Sequence, residues 1–290
     1  MIDLAGKSAL REVTTVAAPW RRGRVTRRVL LALGWLLLGI PVALAVLGPL
    51  VAPSTRPGDV PLQPPGGAHL LGTDVFGRDV LGLALAGGTS VVLLTAASLA
   101  LAYAVAVPLG LVVAAGARLA EDLVIRALDV VLALPSLLVL MALAATGRRG
   151  VGWLVLAVAL VQVPYVVRLV RGAAAAPACL TALETMTLVG EPWWRVHLLE
   201  TGRRVLPPVL VNAATRVVTV VGLLSSANFL GVGLAPAAVD WAVLVDQNMT
   251  ALFLAPAVVL VPAGLLVALC AGTNLLVDEL LERRVRAVTG

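Results

Sequence analysis

The side chains that could do chemistry are few in this chain and lie far apart. Of its 290 residues two are histidines, His69 and His197, and two are cysteines, Cys179 and Cys270. Neither pair has the spacing of a metal site or a catalytic set, and Gly6-Lys7-Ser8 lacks the glycine five residues earlier that a phosphate-binding loop requires. We therefore expect no catalytic residue, no metal and no cofactor in this chain. We also expect no disulfide, because neither cysteine lies on the outer side in the topology predicted below.

Polar side chains within apolar stretches form a second candidate set. Four of these side chains recur at helical spacing and would form one polar stripe, namely Asn212, Thr215, Arg216 and Thr219. A charge in such surroundings is costly and faces protein or water. We interpret the stripe as lining a translocation path, with an alternative in which Arg216 extends along the helix to a polar surface. Asp129, three residues after Arg126, predicts a local ion pair.

The elements that position these residues are long and apolar. The chain is 60% hydrophobic with a mean hydropathy of +1.01, and about 20 apolar residues suffice to cross a bilayer. Backbone groups in lipid must be satisfied within their own segment, so such stretches are helices. We predict an all-α membrane protein with six transmembrane helices, in residues 29–52, 80–117, 123–146, 151–167, 205–234 and 251–277.

Basic residues predict the orientation of the spans. With both termini inside, seventeen of the 22 Lys and Arg residues lie on the inner side, four lie outside, and Arg216 lies within a span. This asymmetry favours an N-in, C-in arrangement. The first apolar run, residues 29–52, exceeds the hydrophobic region of a signal peptide, so we expect it to remain as a span.

The same pattern divides the chain into a basic cytoplasmic tail, a transmembrane domain and a second cytoplasmic tail. These are residues 1–28, 29–280 and 281–290. The transmembrane domain contains an outer loop rich in Pro and Gly, a long inner loop and an outer segment after the fifth span. They comprise residues 53–79, 172–204 and 231–250.

The inner loop predicts two short helices. Pro177 suits a first helical turn, and residues 179–189 carry apolar side chains at helical spacing before a stop at Gly190 and Pro192. Residues 193–199 resume the apolar pattern. Helices this short cannot span a membrane, so we expect them to dock on the membrane surface or on a cytoplasmic partner.

Three stretches carry a family resemblance over about residues 29–280. The segment from His69 to Val80, containing LGTDVFGRDV, closely resembles the L-G-T-D-x-x-G-R-D-V segment before the second span in permeases of dipeptide, oligopeptide and nickel ABC importers. Residues 228–236 with Trp241 resemble the S-F-L-G-L-G-x-x-P…W segment of those proteins, and residues 164–172 resemble the end of their fourth span. The likeness is to the second, C-type permease of each pair.

The resemblance implies a type I ABC importer permease in a bacterial plasma membrane. Its partners would be a second permease, forming a heterodimer, two cytoplasmic ATPase subunits and an extracytoplasmic substrate-binding protein. ATP and Mg would bind the ATPase subunits, and this chain would be a non-catalytic gate working by alternating access. Di- or oligopeptides are the implied cargo. The alternatives are nickel or a metal chelate and, from another class, a stand-alone secondary transporter.

The resemblance also assigns residues. The inner loop would carry the coupling helix that docks on the ATPase, although only Glu184 and Gly190 match the family's Glu-Ala-Ala, three residues, Gly pattern. The implied docking residues are Leu183, Glu184, Met186, Thr187 and Gly190. The outer motif residues are Gly72, Thr73, Asp74, Gly77, Arg78 and Asp79.

Overall fold

The computed structural model describes residues 24–52, 58–67, 69–116, 118–146, 150–230, 233–234 and 238–289. Across those ranges the regular structure is helical, apart from one bridge between Thr73 and Asp79. The helices are α1 (Arg24–Val51), α2 (Val80–Ala115), α3 (Arg118–Ala133), α4 (Ser136–Ala145), α5 (Val151–Ala174), α6 (Pro177–Leu188), α7 (Thr201–Phe229), α8 (Trp241–Asn248) and α9 (Pro256–Thr289). A π-helical turn, Arg195–Glu200, leads directly into α7, and a short 3-10 turn, Met249–Ala251, follows α8.

Five of the described helical segments are long and apolar enough to cross a membrane. They are Arg28–Val51, Val80–Ala115, Val151–Ala174, Arg195–Phe229 and Pro256–Glu279, of 24 to 36 residues each. At about 1.5 Å of rise per residue each is at least as long as the hydrocarbon layer is thick. Five of the six predicted spans are therefore found as unbroken helices.

The predicted span at residues 123–146 is not one straight helix. It consists of α3 and α4, whose segments Glu121–Ala133 and Ser136–Ala142 meet at 86°. The break lies at Leu134 and Pro135, because proline lacks the N–H that would continue the helix and restricts the residue before it. Counted as one broken span, the pair brings the total to six.

Several predicted boundaries shift. The fourth span continues beyond residue 167 to Ala174, and residues 193–199 are no separate helix, since Arg195–Glu200 runs without interruption into α7. The predicted outer segment at 231–250 contains α8, and α9 continues to Thr289, within the predicted C-terminal tail. Most of the predicted N-terminal tail, residues 1–23, lies outside the described residues.

Helix α2 is central to the packing. It contacts α1, α5 and α7, while α9 packs on α1, α7 and α8. Trp241, at the start of α8, is completely buried against α2, and its Nε1 donates a hydrogen bond to the Ala84 carbonyl at 2.8 Å. Gly88 makes room for the indole, because a Cβ there would lie 2.5 Å from Trp241 Cζ2.

Replacing this glycine should therefore overpack the contact between α2 and α8. We expect Gly88→Ala to lower the free energy of unfolding by about 1–3 kcal/mol, measured by thermal or denaturant unfolding of the detergent-solubilised chain. Gly222→Ala in α7 is the matched control, because a Cβ there meets nothing within 4 Å. Equal stability of the two variants would contradict the packing argument.

Candidate functional site

The outer motif folds into a tight turn that glycine alone permits at two positions. Gly72 and Gly77 have φ of 81° and 71°, in the left-handed region that favours glycine. A Cβ at Gly72 would lie 2.4 Å from the Gln63 carbonyl oxygen, and one at Gly77 would lie 2.1 Å from that of Asp59. The turn is thus pressed against the preceding loop.

Asp74 holds this turn together. Its carboxylate, fully buried, accepts the backbone N–H groups of Phe76 at 2.9 Å and Arg78 at 2.8 Å. It also forms an ion pair with the buried Arg78 guanidinium, with Nη2 and Oδ2 2.6 Å apart. Burying two charges is costly unless they are paired and hydrogen-bonded, and here both conditions are met.

The motif also joins the outer loop to α8. Arg78 Nη2 donates to Gln247 Oε1 at 2.9 Å, and the Val75 N–H donates to Asn248 Oδ1 at 3.1 Å. Asn248 is completely buried, and its amide nitrogen donates back to the Leu244 carbonyl. The turn and α8 are therefore joined into one unit, comprising residues 72–79 and 241–248, which we call the outer latch after its predicted side of the membrane.

The remaining motif residues anchor the latch. Thr73 Oγ1 donates to the Val60 carbonyl at 2.7 Å, and Asp79 caps α2 by accepting the Gly82 N–H at 2.8 Å. His69 lies between two carboxylates, 3.1 Å from Asp79 and 3.3 Å from Asp59. The six predicted motif residues are thus brought together in one place.

Asp240 caps α8 from the other side of the latch. It accepts the N–H of Ala242 at 2.9 Å and contacts the side-chain amide of Asn228 at the end of α7. Burial raises the pKa of the Asp240 carboxyl, and hydrogen bonds from Ser90, the α8 backbone and Asn228 oppose that rise. The carboxyl therefore couples the α7 end to α8.

A second site lies midway along the spans. Arg216 of α7 donates to Gln162 Oε1 of α5 at 3.3 Å, and its guanidinium lies over the Tyr165 ring, 4.3 Å from the centroid. Tyr103 of α2 donates to Asn212 Oδ1 at 2.7 Å. We call these five residues the polar cluster.

Their positions along the helices place the polar cluster deep. Arg216 is about 20 Å from each end of α7, and Gln162 is about 17 Å from each end of α5, at 1.5 Å per residue. The arginine side chain contacts Gln162 and Tyr165 of the neighbouring helix α5. Thr215 donates to the Asn212 carbonyl of its own helix, and Thr219 is exposed.

Asp129 does not form the predicted ion pair with Arg126. It contacts Arg168 of α5 instead, so the interaction joins two helices. A second pair between the same two helices, Glu121 with Arg171, lies nearer the start of α3. The local i, i+3 expectation was wrong because α3 packs against α5, where Arg168 offers Asp129 a better-placed guanidinium.

The third site is α6, the proposed docking helix. It ends as predicted: the Gly190 N–H donates to Thr187 O at 3.1 Å and the Glu191 N–H to Met186 O at 3.3 Å. This is a Schellman motif, and Gly190, with φ of 83°, adopts the left-handed conformation it requires. The chain is thereby turned back toward the π-helical turn before α7.

The two faces of α6 differ. Leu183 and Met186 are half-buried, and Leu183 and Thr187 line a cavity of about 550 Å³ beside Glu121, Arg171 and His197. Leu188 and Val189 are 88% and 76% exposed. Gly190 is exposed, whereas the side chain of Glu184 lies outside the described residues.

The sequence interpretation missed several residues of these sites. They are Tyr103, Gln162, Gln247 and Asn248. Gln162 is the most polar residue between 151 and 167, and a buried amide inside an apolar span is itself a signal. Gln247 and Asn248 gave no such signal, because polar side chains in an outer segment are ordinary.

The ion pair in the outer latch predicts that removing the charge of Asp74 lowers stability much more than removing that of Glu191. Asp74→Asn leaves the buried Arg78 without its countercharge, so we expect a loss of about 3–5 kcal/mol in unfolding free energy. Glu191→Gln removes an exposed i, i+4 partner of Arg195 and should cost about 0–1 kcal/mol. Unfolding of both purified variants tests this, and comparable losses would show that Asp74 does not hold the latch.

Comparison with known proteins identifies the chain's relatives. Residues 106–287, more than half of the chain, match the family described as binding-protein-dependent transport system inner membrane component. A probable D,D-dipeptide transport system permease protein, DdpC of Escherichia coli (strain K12), is 30% identical over 190 residues, which cover 64% of this chain and 63% of that protein.

Two further relatives are covered more completely. The glutathione transport system permease protein GsiD of Pectobacterium atrosepticum is 28% identical over 92% of this chain and 90% of its own length. The di/tripeptide transport system permease protein DppC of Pseudomonas aeruginosa is 31% identical over 72% of this chain and 73% of that protein. With its five unbroken apolar helices, the chain is a multi-pass plasma-membrane protein that belongs to the binding-protein-dependent transport system inner membrane component family.

Proposed function

We propose that this chain is a permease subunit of an ATP-driven, binding-protein-dependent importer of di- or oligopeptides. The observation that carries the proposal is the likeness to a di/tripeptide permease over 72% of the chain. The chain itself would be non-catalytic. ATP and Mg would bind two cytoplasmic ATPase subunits, a second permease would complete a heterodimer, and an extracytoplasmic protein would deliver the cargo.

The proposed topology has six spans with both termini inside, α3 and α4 forming a broken third span. The transmembrane permease domain would cover residues 29–280, with 1–28 and 281–290 in the cytoplasm. The coupling loop at 172–204 would then lie inside, and the outer loop at 53–79 and the segment at 231–250 outside. Seventeen inner basic residues against four outer ones support this orientation.

Reconstitution tests the proposal directly. The chain is purified with its second permease and ATPase subunits, inserted in liposomes and supplied with its binding protein and a labelled tripeptide. We expect peptide to accumulate only when ATP reaches the ATPase side. Accumulation by this chain alone, driven by an ion gradient, would instead establish the secondary transporter.

We further propose α6 as the coupling helix. The family resemblance assigns docking on the ATPase to five residues, Leu183, Glu184, Met186, Thr187 and Gly190. The half-buried positions of Leu183 and Met186 suit them to fastening α6 on the permease. The exposed Leu188 and Val189 are better placed to enter a groove of the ATPase, in the manner of a helix in a groove.

Leu188→Glu separates docking from folding. Because Leu188 is 88% exposed, the change should leave unfolding unaltered while reducing ATPase co-purification and ATP-driven uptake at least tenfold. Gly190→Arg should have the same effect on uptake. Leu254→Glu, which alters a 78% exposed leucine between α8 and α9, is the control and should retain the ATPase. Full retention of the ATPase by Leu188→Glu would refute this docking surface.

The stripe of Asn212, Thr215, Arg216 and Thr219 is proposed to line the translocation path. Thr219 is exposed in the chain, whereas the adjacent Val220 is completely buried. In a background with Cys179 and Cys270 replaced by Ala, Thr219→Cys should react with a membrane-impermeant thiol reagent in at least one nucleotide state of the transporter. Val220→Cys should stay protected. Protection of both cysteines in every state would count against the path.

A further inference from the structure

The charge of Arg216 is not balanced by any other described residue. Five other arginines each contact a carboxylate, and Arg216 contacts an amide and an aromatic ring instead. The paired arginines are Arg78, Arg168, Arg171, Arg195 and Arg204. Within the described part of the chain, Arg216 is thus a positive charge deep in a span with no acidic partner.

The amide oxygens of the polar cluster already accept hydrogen bonds. Gln162 uses its oxygen to accept from the guanidinium, and its Nε2, also buried, has no hydrogen-bond partner among the described residues. Asn212 Oδ1 already accepts from the Tyr103 hydroxyl. Guanidinium N–H groups that remain unused suit a planar anion, since the fork of an arginine matches a carboxylate.

The guanidinium is positioned before any anion arrives. The guanidinium carbon lies over the Tyr165 ring, 4.3 Å from its centroid, and one guanidinium nitrogen donates to Gln162 at 3.3 Å. The guanidinium therefore loses little freedom on binding. Arg216 is only half-buried, and one turn further along the same helix Thr219 is exposed. An anion passing this face of α7 could therefore reach the fork.

We propose that Arg216 is a cargo-binding residue that holds a carboxylate of the peptide, foremost its C-terminal carboxylate, midway across the membrane. This inference rests on the proposed function, because every unmodified peptide carries such a carboxylate. The contact would make the path favour peptides with a free C-terminus. Tyr165 and Gln162 act as positioning residues for the guanidinium.

Transport of two matched cargoes by the reconstituted complex tests this assignment. We expect Arg216→Gln to reduce ATP-driven uptake of trialanine at least tenfold and uptake of trialanine amide less than twofold. Arg216→Lys, which keeps the charge, should retain most trialanine uptake. Arg204→Gln in the same helix, which breaks an exposed pair with Glu200, should change uptake of both cargoes by the same factor.

The outcomes separate the two proposals. If wild-type complex takes up neither peptide with ATP, the proposed importer function fails. If it takes up trialanine but Arg216→Gln lowers both peptides equally, Arg216 is structural and the inference is overturned. No loss for either peptide also overturns it, and would mean that lipid phosphate or another subunit neutralises the guanidinium.

A binding measurement covers the case in which the binding protein itself rejects the amide. In the cysteine-replaced background, trialanine should slow alkylation of Thr219→Cys at least threefold, and trialanine amide should not. Adding Arg216→Gln should abolish the protection, while Arg204→Gln should leave it. Protection that persists without the guanidinium would overturn the assignment, provided that the complex elutes intact on gel filtration.

Discussion

The hydrocarbon layer forces the backbone polar groups within the spans to find their partners inside their own segment. That constraint leaves helices as the available form for the spans, and it confines irregular backbone to places where other groups can satisfy it. The turn at residues 72–79 lies in the loop that we place outside the hydrocarbon, and there side chains can serve as acceptors. Asp74 accepts two N–H groups of the turn, and Thr73 accepts that of Gln63.

Charged side chains also need partners when they are buried, and the two charged sites of this chain differ in how completely they find them. The Asp74–Arg78 pair is buried and complete, and removing one partner would cost more than the pair contributes. Arg216 is only partly compensated: a deep arginine costs about 2.5–3.5 kcal/mol on insertion scales, whereas contact with an aromatic face offsets about 2 kcal/mol when desolvated. On the proposed assignment, the peptide carboxylate would balance the remaining charge, and this difference distinguishes the polar cluster from the latch.

The positions of the spans could be predicted from the sequence, but the contacts between them could not. Composition and length predicted the long apolar helices, and Gly190 with Pro192 predicted the end of α6, because those signals are local. The contacts between helices join residues that lie 39 to 153 positions apart in the chain. They include the packing of Trp241 against Gly88, the ion pair of Asp129 with Arg168 and the contact of Arg216 with the Tyr165 ring. Periodicity reports which face of a helix is polar, and it carries no information on which helix that face will meet.

The path from α6 to the polar cluster runs through one continuous helical rod. The π-helical turn Arg195–Glu200 and α7 are unbroken as far as Phe229. On the proposed assignment, a displacement that α6 passes to this turn, through their contact and the short connection at 189–192, would reach Arg216 without crossing a further loop. Pro207 and Pro208 lie within that rod and leave the carbonyls of residues 203 and 204 without their helical donors. The rod is therefore weakest between the docking end and the cluster. Bending there would tilt the inner part of the rod against the part that carries Arg216, which Asn228 and Asp240 join to the outer latch. Relative motion of this kind is what alternating exposure of a central site requires.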